Sequence, residues 1–222
     1  MRLIIDKNFI LLFLAIFSCH SLFAQSQQLG NEKLWTVAEK KIILTGLERT
    51  KNEVFQEIKG LTTAQWNFKE DSSRWSIGEI VEHLTNQDES YFVEIRTCLM
   101  QPEIPQFIEL ARGNDDIFIA YADDPLKADA GFLSPIGKYC TREKAEFAFN
   151  KVRTRIHGIV DGTSEDLRKH FTFRRYTFKG QLSKAEKYNL RDLHQLLLTC
   201  ISHTDRHLKQ LRKVKLHPNY PK

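Results

Sequence analysis

The sequence predicts an all-α fold, a four-helix bundle with a long connector between helices two and three, on three observations. Four long segments repeat apolar side chains at helical spacing, helix-capping residues stand at the starts of two of them, and no sheet is needed to account for the core. Amphipathic helices of this kind bury their apolar stripes against one another, and the interior between facing helices can host a site.

The first helix is expected over 32–59, on Leu34, Val37, Ile42, Leu44, Leu47, Val54, Phe55 and Ile58, with Gly60 where a C-terminal cap would sit. Residues 61–75 read as a connector. Ser76-Ile77-Gly78-Glu79 has the form of a capping box, so the second helix starts at Ser76. It runs to about Met100 with Ile77, Ile80, Val81, Leu84, Tyr91, Phe92, Ile95 and Leu99 on one side, and Pro102 and Pro105 stop it.

Residues 101–140 hold four of the six prolines and the short run 117–121, which fits either a strand or a helix. A connector this long tends to be functional or to carry structure of its own. Thr141 caps a third helix over 142–160, with Ala145, Phe149, Val152, Ile156, Ile159 and Val160 inward. The aromatic stretch 171–180 reads as extended, and a fourth helix covers 190–214.

The domain is expected over 34–213, preceded by a leader at 1–24 and a linker at 25–33, and followed by a tail at 214–222. The leader combines a basic start (Arg2, Lys7) with the apolar run from Phe9 to Phe17, too short to span a bilayer easily, and then Leu22 and Ala24 at the small or aliphatic positions before a cleavage point. We expect export, periplasmic or extracellular, with cleavage after Ala24. A second reading takes Ile16-Phe17-Ser18-Cys19 as a lipidation signal, although Phe17 is bulky for it. Cleavage leaves no stable membrane span. It removes two cations and one anion, lowering the formal charge of +5 by one.

That balance is only mildly basic, and the cationic tail (Arg206, Lys209, Arg212, Lys213, Lys215) reads as a helix C-terminus, so no nucleic-acid partner is expected. Cys98, Cys140 and Cys200 have no CxxC spacing and indicate neither a disulfide framework nor a thiolate site, although a pair such as Cys98 with Cys140 could form outside the cytoplasm.

Chemistry is suggested by the histidines. His203 and His207 stand at i, i+4, which puts both imidazoles on one helical face about a turn apart, at the edge of the stripe formed by Leu193, Leu197, Cys200, Thr204, Leu208 and Leu211. Among 8 histidines in 222 residues such a pair arises by chance often enough that it decides little alone. His83 lies at the edge of the second helix's apolar face, so three imidazoles could converge at one rim of the bundle. Three neutral imidazoles with an open position suit zinc, nickel, iron, manganese or another divalent metal, with Gln87, Gln210 or a backbone carbonyl orienting them. Spacing alone leaves this reading level with the other, in which the histidines are hydrogen-bonded or solvated. The pair lacks the glutamate of His-Glu-x-x-His, and Asp205 points off the histidine face, so a zincin-type protease is disfavoured.

The segments Trp75-Ser76-Ile77-Gly78-Glu79-Ile80-Val81-Glu82-His83-Leu84 and His203-Thr204-Asp205-Arg206-His207-Leu208-Lys209-Gln210, with Leu133-Ser134-Pro135, Thr141-Arg142-Glu143 and 149–153 between them, resemble the DinB family (DinB/YfiT-like metalloenzymes) over roughly 34–213. The resemblance implies a four-helix bundle, often dimeric, with His83, His203 and His207 as a metal triad. Its assigned activities are thiol-dependent transfers, such as maleylpyruvate isomerisation and bacillithiol transfer, and some hydrolysis. The leader and the long 101–140 segment depart from the family pattern, and export would separate the domain from cytosolic thiols.

Two functions follow. In an enzyme, the metal acidifies a bound water or thiol, 101–140 shapes a pocket for a small-molecule substrate, and Glu79 and Asp88 are the candidate general bases. Glu79 also has a role in the capping box, and Asp88 falls on the apolar side of its helix. In the alternative, the chain is a metal-stabilised binding domain without turnover, a homodimer using 171–178 as its contact surface.

Overall fold

The structure is a computed structural model and describes residues 32–123, 130–173 and 190–222. The leader with its Cys19 alternative, most of the linker, and 174–178 of the contact surface lie outside them. The elements in order are α1 (Val37–Ile58), α2 (Thr63–Asn67), α3 (Ile77–Leu99), α4 (Ile108–Ala111), α5 (Asp115–Ile119), α6 (Arg142–Gly162), β1 (Phe171–Phe173), β2 (Leu190–Asp192) and α7 (Leu193–Lys215), with 3-10 turns at Pro105–Phe107, Ala120–Asp123 and Gly131–Leu133.

The four long helices start where side chains can satisfy their free N–H groups. Thr36 with Glu39, Ser76 with Glu79 and Asp192 with Gln195 form reciprocal capping boxes, and Thr141 caps α6. The expected connector 61–75 contains an additional helix, α2, because Thr62 and Gln65 form a fourth box. The buried stripe of α1 is Ile43, Leu47, Thr50, Val54 and Ile58, whereas Val37 and Ile42, expected on that face, are exposed. The run 117–121 belongs to α5 and the 3-10 turn after it. β1 and β2 pair antiparallel, with Phe171 opposite Asp192, so a small ribbon exists where no sheet was expected.

Side-chain pairs give the helix directions. Trp35 meets His194, Arg49 meets Asp205, and Glu57 meets Lys215, so α1 runs parallel to α7. His83 against His203 and Glu94 against Arg191 make α3 antiparallel to α7. Lys40 bonds the carbonyl of Asp161 while Arg153 reaches Thr50, making α6 antiparallel to α1. Asp88 with Arg153 and Phe92 with Arg155 make α6 parallel to α3. Parallel neighbours cannot be joined by a tight turn, because the chain must travel back the length of the bundle. Residues 100–123 make that return along α7: Gln195 bonds the Ala111 carbonyl, Ser202 the Phe118 carbonyl, and Lys209 the Asp123 carboxylate.

The core divides into two apolar halves. One is centred on Ile43, Leu47, Tyr91, Ile95, Val152, Ile156 and Leu197, the other on Val54, Ile58, Ile77, Val81, Leu84, Phe149 and Leu211. Between them lies a polar layer drawn from all four long helices. Arg153 donates to Asp88 at 2.5 Å, to Thr50 at 3.3 Å and to Thr204, while the Cys200 thiol donates to Asp88 at 3.4 Å. Asp88 and Arg153 are both essentially inaccessible to solvent. At the entry to α3, Gly78 lies under the Trp66 ring, and a Cβ there would sit 2.6 Å from its Nε1.

Cys98, Cys140 and Cys200 are free thiols, and the suggested Cys98–Cys140 bridge is absent. Cys98 ends α3 and Cys140 precedes α6; because these helices are parallel, the two cysteines lie at opposite ends of the bundle. Several cations of the tail are engaged by carboxylates, Arg212 with Glu53 and Glu57, and Lys215 with Glu57. No described helix is long and apolar enough to cross a membrane.

Removing one member of a buried ion pair strands the other charge, at a cost of about 3–5 kcal/mol, whereas replacing both with apolar groups is often tolerated. Arg153→Met is therefore expected to lower the unfolding free energy by about that amount, and Asp88→Leu added to it to recover much of the loss, both read from urea unfolding curves.

Candidate metal centre

The capping box at Ser76 fixes the start of α3 and places His83 two turns inside it, and α7 carries His203 and His207 one turn apart. The contact between Asp88 and Cys200 sets the relative height of the two antiparallel helices. Moving five residues back along α3 and three to seven forward along α7 brings the three imidazoles together. His203 Nε2 lies 3.3 Å from His83 Nε2 and 3.2 Å from His207 Nε2. All three residues are buried, at 5%, 5% and 7% exposure for His83, His203 and His207.

Hydrogen bonding on the far side of the rings fixes two tautomers. His83 Nδ1 lies 3.0 Å from the Leu133 carbonyl and His207 Nδ1 lies 2.8 Å from Gln210 Oε1. Both oxygens can only accept, so each Nδ1 carries the proton, and Nε2 of neutral His83 and His207 presents a bare lone pair. Both lone pairs aim at His203 Nε2, which could donate to one of them and not to both. A cation at the common point relieves this repulsion. The spacing suits one: nitrogens at 2.0–2.1 Å on the corners of a tetrahedron are about 3.3 Å apart.

Burial disfavours protonation of all three imidazoles. It holds His83 below the usual histidine range, takes His203 well below it, with repulsion from the His207 and His83 rings adding to the effect, and brings His207 to about 3. Aromatic rings wall the cluster. Trp75 lies 4.8 Å from the His83 ring and 6.3 Å from that of His207, and Tyr121 stacks at 6.1 Å on His203.

The structure therefore brings His83, His203, His207 and Gln210 together. Gln87 is buried one turn along α3 from His83, but its Nε2 has no hydrogen-bond partner among the described residues. Glu79 is occupied by the Ser76 N–H and by Lys69 at 2.6 Å, and Asp88 by Arg153. Asp205, off the histidine face, forms a two-pronged pair with Arg49 at 2.8 Å.

Residues the sequence reading did not single out complete the site. The buried Glu82 accepts from the N–H groups of Ile136 and Lys138 at 2.7 and 2.9 Å, with Gly137 between them at a φ of 79° that side chains disfavour. This anchor fixes the end of the long connector and hence the Leu133 carbonyl against His83. A carboxylate next to His83 in an otherwise apolar stretch was the available signal for Glu82; Tyr121 had none.

The group Glu39, Asp115 and His194 also clusters, but Arg168 already lies between the carboxylates, 2.6 Å from each, and supplies their counter-charge.

The family model of the DinB superfamily matches residues 46–211. No curated protein matches the chain. Among solved structures, YfiT from Bacillus subtilis, described as a probable metal-dependent hydrolase with an unusual four-helix bundle topology, superposes with a TM-score of 0.58 at 12% identity, covering 86% of this chain and 93% of that one. The likeness is one of fold.

In the metal-free protein the three imidazoles take up protons less readily when folded than when unfolded, where they titrate near 6.5. Below that pH the unfolded chain binds more protons, so stability present above about pH 6.5 is lost as pH falls, for His207 down to about 3. Urea midpoints of the metal-free protein are expected to fall between pH 7.5 and 5, and to fall less steeply in His207→Gln.

Proposed function

The chain belongs to the DinB superfamily, and from that premise we propose that it is a metal-dependent enzyme, a hydrolase, holding one divalent cation (Zn, Ni, Fe or Mn) through His83, His203 and His207. The observation that carries this reading is the tautomer assignment: the outer nitrogens of His83 and His207 give their protons to the Leu133 carbonyl and the Gln210 amide oxygen, leaving lone pairs that converge. Once bound, the cation supplies Lewis acidity and brings the pKa of a protic nucleophile toward neutrality.

The chain's own residues do the rest. The Leu133 carbonyl and Gln210 hold two rings in the ligating tautomer, as outer partners of metal-binding histidines do. Trp75 and Tyr121 keep bulk water from the cluster. The Gln87 amide is a buried donor that a substrate oxygen would satisfy.

Neither buried thiol is poised as a nucleophile of the chain's own, because burial pushes that of Cys200 well up and that of Cys98 to about 11. Export, the other element of the proposal, would remove the domain from cytosolic thiols as co-substrates. A second reading, a metal-stabilised domain without turnover, draws on the near-complete burial of the triad.

Elemental analysis is expected to show that one equivalent of metal per chain depends on the triad, being lost from the total in His83→Ala and in His203→Ala. Chelation is expected to abolish hydrolysis of a panel of esters and amides while the far-ultraviolet dichroism persists. Loss of the dichroism on chelation, with no turnover on any of the panel, would establish the non-catalytic reading. For export, the intact mass of protein recovered outside the cytoplasm is expected to correspond to a chain beginning at Gln25; a lipid-modified chain beginning at Cys19 would replace that cleavage site with the lipoprotein one.

A further inference from the structure

The far end of α3 holds a second arrangement of the same kind. The Cys98 carbonyl, in the last turn, accepts from the Gln101 N–H at 3.0 Å and faces His170 Nδ1 at 3.1 Å. A carbonyl only accepts, so neutral His170 carries its proton on Nδ1 and a lone pair on Nε2. His170 is 3% exposed, and its Nε2 has no hydrogen-bond partner among the described residues.

That nitrogen faces two carboxylates. The ligand atoms of Glu103, Glu165 and His170 all lie within 4.8 Å of one another, with Glu165 Oε2 3.5 Å from His170 Nε2. The backbone builds this convergence. Ile104 N–H donates to the Lys169 carbonyl at 2.9 Å, which sets Glu103 beside His170, and the Asp166–Lys169 turn, with Glu165 N–H donating to the Thr163 hydroxyl at 3.1 Å, presents Glu165 from the other side. Lys169 Nζ approaches Glu103 at 3.6 Å, whereas Arg168 is committed to Glu39, Asp115 and Asp192. The Lys169 ammonium offsets part of the Glu103 charge, and the remaining negative charge and the lone pair still repel one another unless a further cation or a proton lies among them. The partial negative charge of the α3 C-terminus favours a cation there.

We propose that His170, Glu103 and Glu165 form a second divalent-cation site, open on the solvent side, with the nitrogen and oxygen donors that zinc or manganese accepts. It is independent of the histidine triad: fifteen residues of α3 separate Cys98 from His83, about 22 Å along the helix axis. The buried imidazole provides a fixed ligand, and the two half-exposed glutamates, 36% and 49% accessible, close on the ion from the surface.

The test is calorimetric titration of the chelator-treated full chain with Zn2+, compared with the Glu103→Gln/Glu165→Gln double variant and with His203→Ala. Two equivalents are expected in the parent and one in each variant, the one retained by His203→Ala being the surface site. Both glutamates are partly exposed, so the double variant is expected to fold, and its comparison with the parent decides the matter even if His203→Ala does not. Unchanged stoichiometry in the double variant overturns the site. So does a change confined to the protonation of His170, which would mean that an imidazolium paired with Glu165 occupies the cluster. Failure of the triad reading looks different: the parent then binds one equivalent, which the double variant loses and His203→Ala keeps.

Discussion

The buried pair of Arg153 and Asp88 is the interaction on which the rest of the structure depends. It joins α6 to α3, and its bonds to Thr50 and Thr204 extend it to α1 and α7, so one guanidinium touches a residue of every long helix. Apolar side chains can slide past one another by a turn at modest cost. A buried charge with hydrogen-bonding partners at fixed positions cannot, because any slip would leave it unpaired in a low dielectric. The pair thus ties the four long helices to one register between the two apolar halves.

The candidate centre depends on that register. Thr204, which accepts the Arg153 bond, adjoins His203, and Asp88 lies five residues beyond His83. Fixing those two residues to one guanidinium fixes the height at which the imidazoles meet. Helix direction has a second consequence. Because α3 and α6 are parallel neighbours, their connection must run the length of the bundle, and this brings Tyr121 and the Leu133 carbonyl onto the histidines. The length of the connector, unusual for a compact domain, thus follows from topology, and its end supplies the residue that sets the His83 tautomer.

Much of the architecture was legible in the chain. The capping signals at Ser76 and Thr141 mark the starts of their helices, and the stripe on α7 is buried as its spacing implies. The stripe of α1 was misjudged because Val37 and Ile42 are apolar yet exposed, and nothing local distinguishes an apolar residue that faces a partner from one that faces water. Residues 171–173 are extended as the composition suggests, but their partner strand lies beyond a long intervening segment, so the ribbon was not visible.

For the candidate centre, the sequence by itself determined which helix faces the three histidines occupy: an i, i+4 pair on one face and a third histidine at the edge of another helix are consequences of helical periodicity, which local spacing records. Gln210, one turn from His207, was legible for the same reason. Only the tertiary structure decided which nitrogen of each ring faces inward, that Glu82 anchors the connector, and that Asp88 is taken by Arg153. It also set His170, whose sequence surroundings suggest nothing, against two glutamates from separate loops. These depend on groups far apart in the chain meeting at distances of about 3 Å. Periodicity fixes which face a residue occupies on its own helix, whereas the register, direction and crossover of the helices fix what that face meets.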